Sequence, residues 1–184
     1  MKECLSMTRN IILYIATSLD GFIATKTHDL QWLTETQGEG DVGYDDMYQS
    51  VDTILMGKTT YDYVMKHTAT FPYTDKKCYV FSRQQQGSTK YVTFVNEEII
   101  DFTTKLQQQV GKNIWLVGGA EIIDDFIKAN KIDTYIITVT PHILGDGIPL
   151  FRKQNPRLHL QLQATAQYGQ FVQMHYQVRK NFAD

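Results

Sequence analysis

Apolar residues run through the first three quarters of this chain in short bursts. Runs of strand length occur at Ile11–Ala16, Thr53–Met56, Cys78–Phe81, Tyr91–Phe94, Ile114–Val117 and Thr134–Thr140. Consecutive apolar positions suit strands buried on both faces, as in a parallel sheet. Between several of these runs the period lengthens to that of a helix. Ile122, Ile123, Phe126 and Ile127 form one inner stripe. Asn96 is placed to cap another helix, with Glu97 and Glu98 in its first turn and Ile99, Phe102 or Thr103, Leu106 and Val110 along one face.

The last quarter changes period. Leu158–Leu162 and Val172–Val178 alternate apolar and polar residues, and Tyr168-Gly169 lies between them. That pattern predicts an antiparallel hairpin with one face on the core. Parallel crossovers followed by antiparallel strands make an α/β fold around a mixed, mostly parallel sheet. No repeat, low-complexity tract or linker divides residues 1–184, so one domain is expected.

Two strand ends carry candidate chemistry. In Trp115-Leu116-Val117-Gly118-Gly119-Ala120-Glu121-Ile122-Ile123 an apolar run stops at two glycines and a helical pattern starts at once. Thr53-Ile54-Leu55-Met56-Gly57-Lys58-Thr59-Thr60-Tyr61 repeats the design with a hydroxyl-rich helix start. Each junction aims free backbone N–H groups and a helix N-terminus at a ligand, and glycine lets a phosphate approach the main chain. Two such sites suggest a bound dinucleotide, although neither has the G-x-G-x-x-G spacing. Gly57–Thr60 also reads as an ordinary capped helix start, and Gly118-Gly119 as a tight turn for close helix–strand packing.

Composition narrows the classes. With 42% apolar and 21% charged residues, 184 residues make an ordinary globular domain. A net charge of −2 gives no reason to expect a nucleic acid or an anionic membrane as partner. Ile11–Ala16 is too short for a membrane span or a signal sequence. Cys4 and Cys78 belong to no CxxC or Cys/His pattern, which points to a reduced, cytoplasmic setting. The five histidines lack metal-ligand spacing, Ser82 lacks a G-x-S-x-G elbow, and no zinc-deaminase signature occurs.

Six segments in order carry a resemblance: Ser18-Leu19-Asp20-Gly21-Phe22-Ile23-Ala24, Trp32-Leu33, Leu55-Met56-Gly57-Lys58-Thr59-Thr60-Tyr61, Phe81-Ser82-Arg83, Val117-Gly118-Gly119-Ala120 and Leu144-Gly145-Asp146-Gly147-Ile148-Pro149-Leu150-Phe151. Together they cover nearly the whole chain. The chain resembles the dihydrofolate reductase fold, and more closely the reductase domain of the bifunctional riboflavin-biosynthesis deaminase–reductase and its stand-alone relatives. The resemblance implies a three-layer α/β fold, NADPH as cofactor and hydride transfer to a small heterocycle. It implies that Gly57, Lys58, Thr59 and Thr60 hold the pyrophosphate, with Lys58 near the adenosine end. Phe81, Ser82 and Arg83 would meet the adenosine ribose and its 2′-phosphate, which a guanidinium suits well; Arg83 also reads as a surface arginine in a turn. Gly118 and Gly119 resemble a pair joined by a cis peptide in dihydrofolate reductases. Val117, Ala120, Glu121, Ile122 and Ile123 would follow the pyrophosphate and nicotinamide ribose, and Ala16 and Ile23 would flank the nicotinamide, although core packing suits these two as well.

For the substrate side the resemblance implies Asp45 or Asp46 as an acid, Thr138 facing the substrate and Trp32 closing the pocket. First-turn acids on a helix, and a large ring simply packed, are the competing readings. Phe22 stands where the riboflavin-pathway reductases commonly carry lysine, which argues against a phosphorylated pyrimidine substrate. A nucleotide-binding sensor without turnover is the alternative from another class. The alternating C-terminal strands suggest a homodimer built on sheet edges, as in the riboflavin-pathway relatives.

Overall fold

The computed structural model describes residues 8–179. Strand β1 (Ile11–Thr17) turns at Ser18–Gly21 into the short β2 (Phe22–Ala24), and α1 (Gln31–Thr34) and α2 (Tyr44–Ser50) follow. Two direct strand-to-helix steps come next in outline: β3 (Val51–Gly57) into α3 (Lys58–His67), then β4 (Lys77–Phe81), β5 (Gly87–Ser88), β6 (Val92–Val95) and α4 (Ile99–Gln107), then β7 (Asn113–Gly118) into α5 (Ala120–Lys128). The chain ends with β8 (Thr134–Val139), β9 (Ile148–Pro149), β10 (Leu160–Tyr168) and β11 (Phe171–Val178). Nine strands form one sheet in the order β10-β11-β8-β1-β7-β3-β4-β6-β5, and β2 pairs with β9 apart from it. Pairing is parallel from β8 through β6, and antiparallel at β11–β8, β10–β11 and β5–β6.

Alternation along the inner strands divides the core in two. Ile11, Leu13, Leu55, Ile114 and Leu116 face Ile123, Phe126 and Ile127 of α5 and Leu106 of α4. Ile12, Ile54, Met56, Val80 and Trp115 face Met47 of α2 and the rings of Tyr44, Tyr48 and Tyr61. This is the expected three-layer arrangement, with helices on both faces of a mixed sheet and a C-terminal antiparallel hairpin. Fully buried aliphatic side chains such as Ile123 contribute about 1.5–3 kcal/mol each.

Local boundaries differ from the sequence pattern. Glu98, not Asn96, precedes α4, and neither residue caps it with a side chain. Val110 is fully exposed, because α4 stops at Gln107 and closes with Gln109 N–H on the Leu106 carbonyl (3.1 Å). The first hairpin strand begins at Leu160, and Tyr168 belongs to it; the reversal uses Gly169 at φ +60°. Cys78 is free and buried, whereas Cys4 lies outside the described residues. Among the described residues no helix is long and apolar enough to cross a membrane.

Candidate active site

β3 and β7 are adjacent and parallel, and each passes from a terminal glycine straight into a helix. Gly57 caps α3 and Gly119 caps α5, and neither helix start carries a side-chain cap. Their first N–H groups therefore remain available to a ligand. The two starts lie close together. A Cβ on Gly57 would sit 3.6 Å from the Gly119 nitrogen, and one on Gly119 would sit 3.1 Å from Thr60 Oγ1. The Gly118–Gly119 peptide is cis, and Gly118 has φ +131°, a conformation that side chains rarely adopt.

These junctions floor a cleft of roughly 1540 Å³ at the carboxyl ends of the parallel strands, where ligands of open α/β sheets bind. Of the residues expected at a cofactor, Ala16, Ile23, Gly57, Lys58, Thr59, Thr60, Phe81, Ser82, Arg83, Val117, Gly118, Gly119, Ala120, Glu121 and Ile122 all line it. Ile123 does not. One position further round α5, it is fully buried in the core. The uncapped helix starts and the glycine cradle fit a pyrophosphate.

At one end of the cleft, Ser82 Oγ accepts the N–H groups of Gln84 (3.3 Å) and Gln85 (3.0 Å), and Ser82 N–H donates to the Val95 carbonyl (2.9 Å). This turn leaves Arg83 exposed. Other cations along the cleft are engaged. Lys58 Nζ lies 2.6 and 2.7 Å from the Asp62 carboxylate, and Lys128 Nζ lies 2.7 Å from that of Asp124. Arg152 is 4.0 Å from Asp124, and Asn155 Nδ2 donates to it at 2.7 Å. Burial pushes the Asp124 carboxyl up, but the Lys128 and Asn155 hydrogen bonds and the nearby cations outweigh it and hold it below the usual range. Asp125 rises, through burial first and then through the charge of Asp124.

Across the sheet, two strands beyond β3, Ala16 stands near the end of β1, and Ile23 follows in β2; Leu30, Leu33 and, from the second turn of α3, Tyr63 and Val64 also line the cleft. The loop carrying Ile23 is fastened by Asp20, whose carboxylate accepts Ser18 Oγ (2.6 Å), Leu144 N–H (3.1 Å) and Gly145 N–H (2.7 Å). The Ser18 bond above all keeps this acid below its ordinary range.

The residues expected at the substrate do not reach the cleft lining. Asp45 and Asp46 occupy the first turn of α2 and are exposed, because that turn presents Tyr44 and Met47 to the sheet instead. Trp32 is 6% exposed and packs edge-on to His142 with ring centroids 6.2 Å apart, and its Nε1 has no partner among the described residues. Thr138 is buried under Gln173, whose Nε2 donates to its hydroxyl at 2.9 Å and to the Val42 carbonyl at 2.9 Å. Tyr14 OH donates to the same carbonyl at 2.9 Å, and burial pushes its phenol up to about 12. Sequence reasoning missed Gln173, since an alternating strand gives no sign that one of its polar positions faces inward.

The mostly parallel sheet, the paired glycine-led helices and the cleft above them define a dihydrofolate reductase-like fold of reductase type. The chain belongs to the RibD C-terminal domain family, whose model matches residues 9–174. It is 50% identical to the uncharacterized protein YwjB of Bacillus subtilis (strain 168) over 171 residues, 92% of this chain and 98% of YwjB. A protein of Shewanella sp. PV-4 named for riboflavin biosynthesis is 29% identical, with TM-score 0.84 over 93% of this chain and 99% of that one. Dihydrofolate reductase from Enterococcus faecalis, solved with NADP(H), shares the fold at 9% identity, with TM-score 0.69 over 95% of this chain and 99% of that enzyme.

Proposed function

We propose that the chain is an NADPH-dependent reductase acting on a small heterocyclic substrate such as a pterin or a flavin-precursor pyrimidine. The observation that carries this reading is the meeting of two uncapped, glycine-led helix starts at Gly57 and Gly119 over one cleft. NADPH supplies the hydride; the protein positions and shields the reacting rings. In this reading the amides of Lys58–Thr60 and Ala120–Ile122 bind the pyrophosphate, and Arg83 meets the 2′-phosphate. Ala16 and Ile23 hold the nicotinamide face, with Ile23 placed by the loop that Asp20 fastens.

The test is a titration with NADPH and NADH, followed by nicotinamide fluorescence. Saturable binding that favours NADPH is expected, followed by oxidation when an acceptor is added. Absence of binding to either nucleotide would overturn the reading, and binding never followed by oxidation would leave a nucleotide sensor.

We further propose a homodimer formed along β10. This sheet edge is nine residues long and uncharged, and Leu162 within it is 51% exposed.

A further inference from the structure

The carbonyl of Val42 is held more tightly than its place in a loop requires. It accepts two side-chain donors at once, Gln173 Nε2 and Tyr14 OH, each at 2.9 Å. Val42 meets them at φ +56°, left-handed backbone that a β-branched residue rarely adopts. Strain of this kind persists where the surroundings over-determine it, and it gathers at binding sites and switches. What over-determines it here is the pair of donors.

The donors adjoin Ala16, one of the residues lining the cleft. Tyr14 and Ala16 are two positions apart on β1 and so share one face of the sheet. Ala16 pairs with Thr138 of β8, and Thr138 pairs with Gln173 of β11, so polar groups continue outward from Ala16 strand by strand. The amide of Gln173 is fixed in orientation. Its Oε1 is engaged by His175 Nε2 at 2.7 Å, and its Nε2 donates to Thr138 Oγ1 at 2.9 Å as well as to Val42. Tyr14 is steadied by the rings of Tyr44 and Trp115, which stand edge-on to it with centroids 6.2 and 6.3 Å away. This patch of the sheet therefore presents an N–H and an O–H to whatever covers it.

Residues 35–43 cover it. They join α1, beside the cleft residue Leu33, to α2, and include Gly38, Gly40 and Gly43. Gly40 at φ +69° and Gly43 at φ +71° bracket Val42 with backbone that turns easily. Trp32, just before this loop, and Thr140, two positions beyond Thr138, each bury a polar atom with no partner among the described residues. Buried polar groups are nearly always paired, so the closed loop leaves part of this surface unsatisfied.

We infer that the Val42 carbonyl occupies the place of a ring carbonyl of the acceptor, and that residues 35–43 withdraw to admit that ring between Tyr14 and Gln173. The inference rests on the NADPH reading above and names the group by which the same site recognises its acceptor. Pterins and pyrimidinediones both carry such a carbonyl. An amino group in its place would set N–H against N–H and leave the Gln173 donor unpaired.

The experiment compares two pteridines on protein loaded with NADP⁺, where no turnover occurs. Lumazine carries carbonyls at the two ring positions where 2,4-diaminopteridine carries amino groups. Binding is read at neutral pH by pteridine fluorescence and by calorimetry, after NADPH binding has been shown separately. Lumazine is expected to bind at least about tenfold more tightly than the diamine, the scale of one buried donor left unpaired. Tyr14→Phe should weaken lumazine about tenfold and the diamine little. Gln173→Glu, which sets a carboxylate where the amide donor stood, should reverse the preference. Both variants are first checked for retained NADPH affinity. Hydrogen exchange at residues 37–43 should quicken when lumazine is added, although a ligand that stabilises the folded state ordinarily slows exchange. The inference is overturned if the diamine binds as tightly as lumazine, or if neither ring binds to protein that binds NADPH. It is equally overturned if exchange in the loop is unchanged or slower with lumazine bound, or if both variants keep the original ratio. Failure to bind NADPH at all would instead remove the reading beneath it.

Discussion

Gln173 on β11 and Thr138 on β8 stand directly opposite each other, and the Gln173 amide donates to the Thr138 hydroxyl at 2.9 Å with both side chains buried. The same amide holds the carbonyl of Val42, a β-branched residue at φ +56°. The pair therefore fastens the loop before α2 to the sheet. Thr138→Val leaves one Gln173 N–H unpaired in the core and is expected to cost about 1–3 kcal/mol of stability. Gln173→Leu, which leaves the Val42 carbonyl to Tyr14 OH alone and removes the acceptor of His175, should cost at least as much. Urea denaturation measures both. NADPH affinity should stay unchanged in Thr138→Val, and a large loss there would return Thr138 to the site.

The two halves of the cleft differed in legibility for a physical reason. Gly57 and Gly119 work through their own backbone at a strand–helix junction, so the chemistry is written in consecutive residues. The opposite wall depends on distant meetings. Gln173 reaches Val42 across 131 positions, and neither residue carries a local pattern that announces the contact. Asp45 and Asp46 stand exposed and away from the cleft lining, because a helix assignment does not fix which face meets the cleft. The hairpin was legible by its period, but its turn moved one residue because Gly169 fits the close approach to Gln37 and Gly38.

Gly119→Ala tests the cradle. The added methyl would lie 3.1 Å from Thr60 Oγ1, on the floor where the helix starts converge. Overpacking of this kind costs about 1–3 kcal/mol, and falling on the bound state it should lower NADPH affinity roughly five- to 150-fold. The fold should persist, read by near-ultraviolet circular dichroism. Unaltered affinity would show that the cofactor does not lie against this glycine.

Arg83→Ala should act on selectivity. Loss of a charge-assisted contact to a phosphate is worth about 1.5–3 kcal/mol, or roughly 10- to 100-fold in NADPH affinity. NADH affinity should barely change, because it lacks the 2′-phosphate. A variant that keeps its full preference for NADPH would remove Arg83 from the site.

His175 gives the fold a pH dependence. Its Nε2 donates to Gln173 Oε1 at 2.7 Å, and its sheet neighbours Ile136 and Ala164 are uncharged. Burial lowers its pKa from 6.5, so the unfolded chain binds this proton more readily than the folded one. Stability is then complete above the unfolded value and declines as pH falls below it. Urea midpoints should drop between pH 7.5 and 5.5, roughly the window of histidine titration. His175→Gln should show a smaller drop, and an identical drop would assign the effect to other groups.

The edge at β10 decides the assembly. Leu160–Tyr168 exposes the N–H and C=O groups of one strand side along nine residues, and no lysine, proline or acid guards them. Leu162 and Val172 add exposed apolar surface, 51% and 47% open. An unguarded edge of this length pairs readily with another strand, and two copies related by a twofold axis would join their sheets across it. Light scattering at micromolar concentration should therefore return the mass of two chains. Ala164→Lys places a charge on the exposed strand and should shift the mass to that of one chain while cofactor binding persists. A single-chain mass for the unaltered protein would discard the dimer and leave β10, among the described residues, as an edge interrupted by the bulge between Leu162 and Ala164.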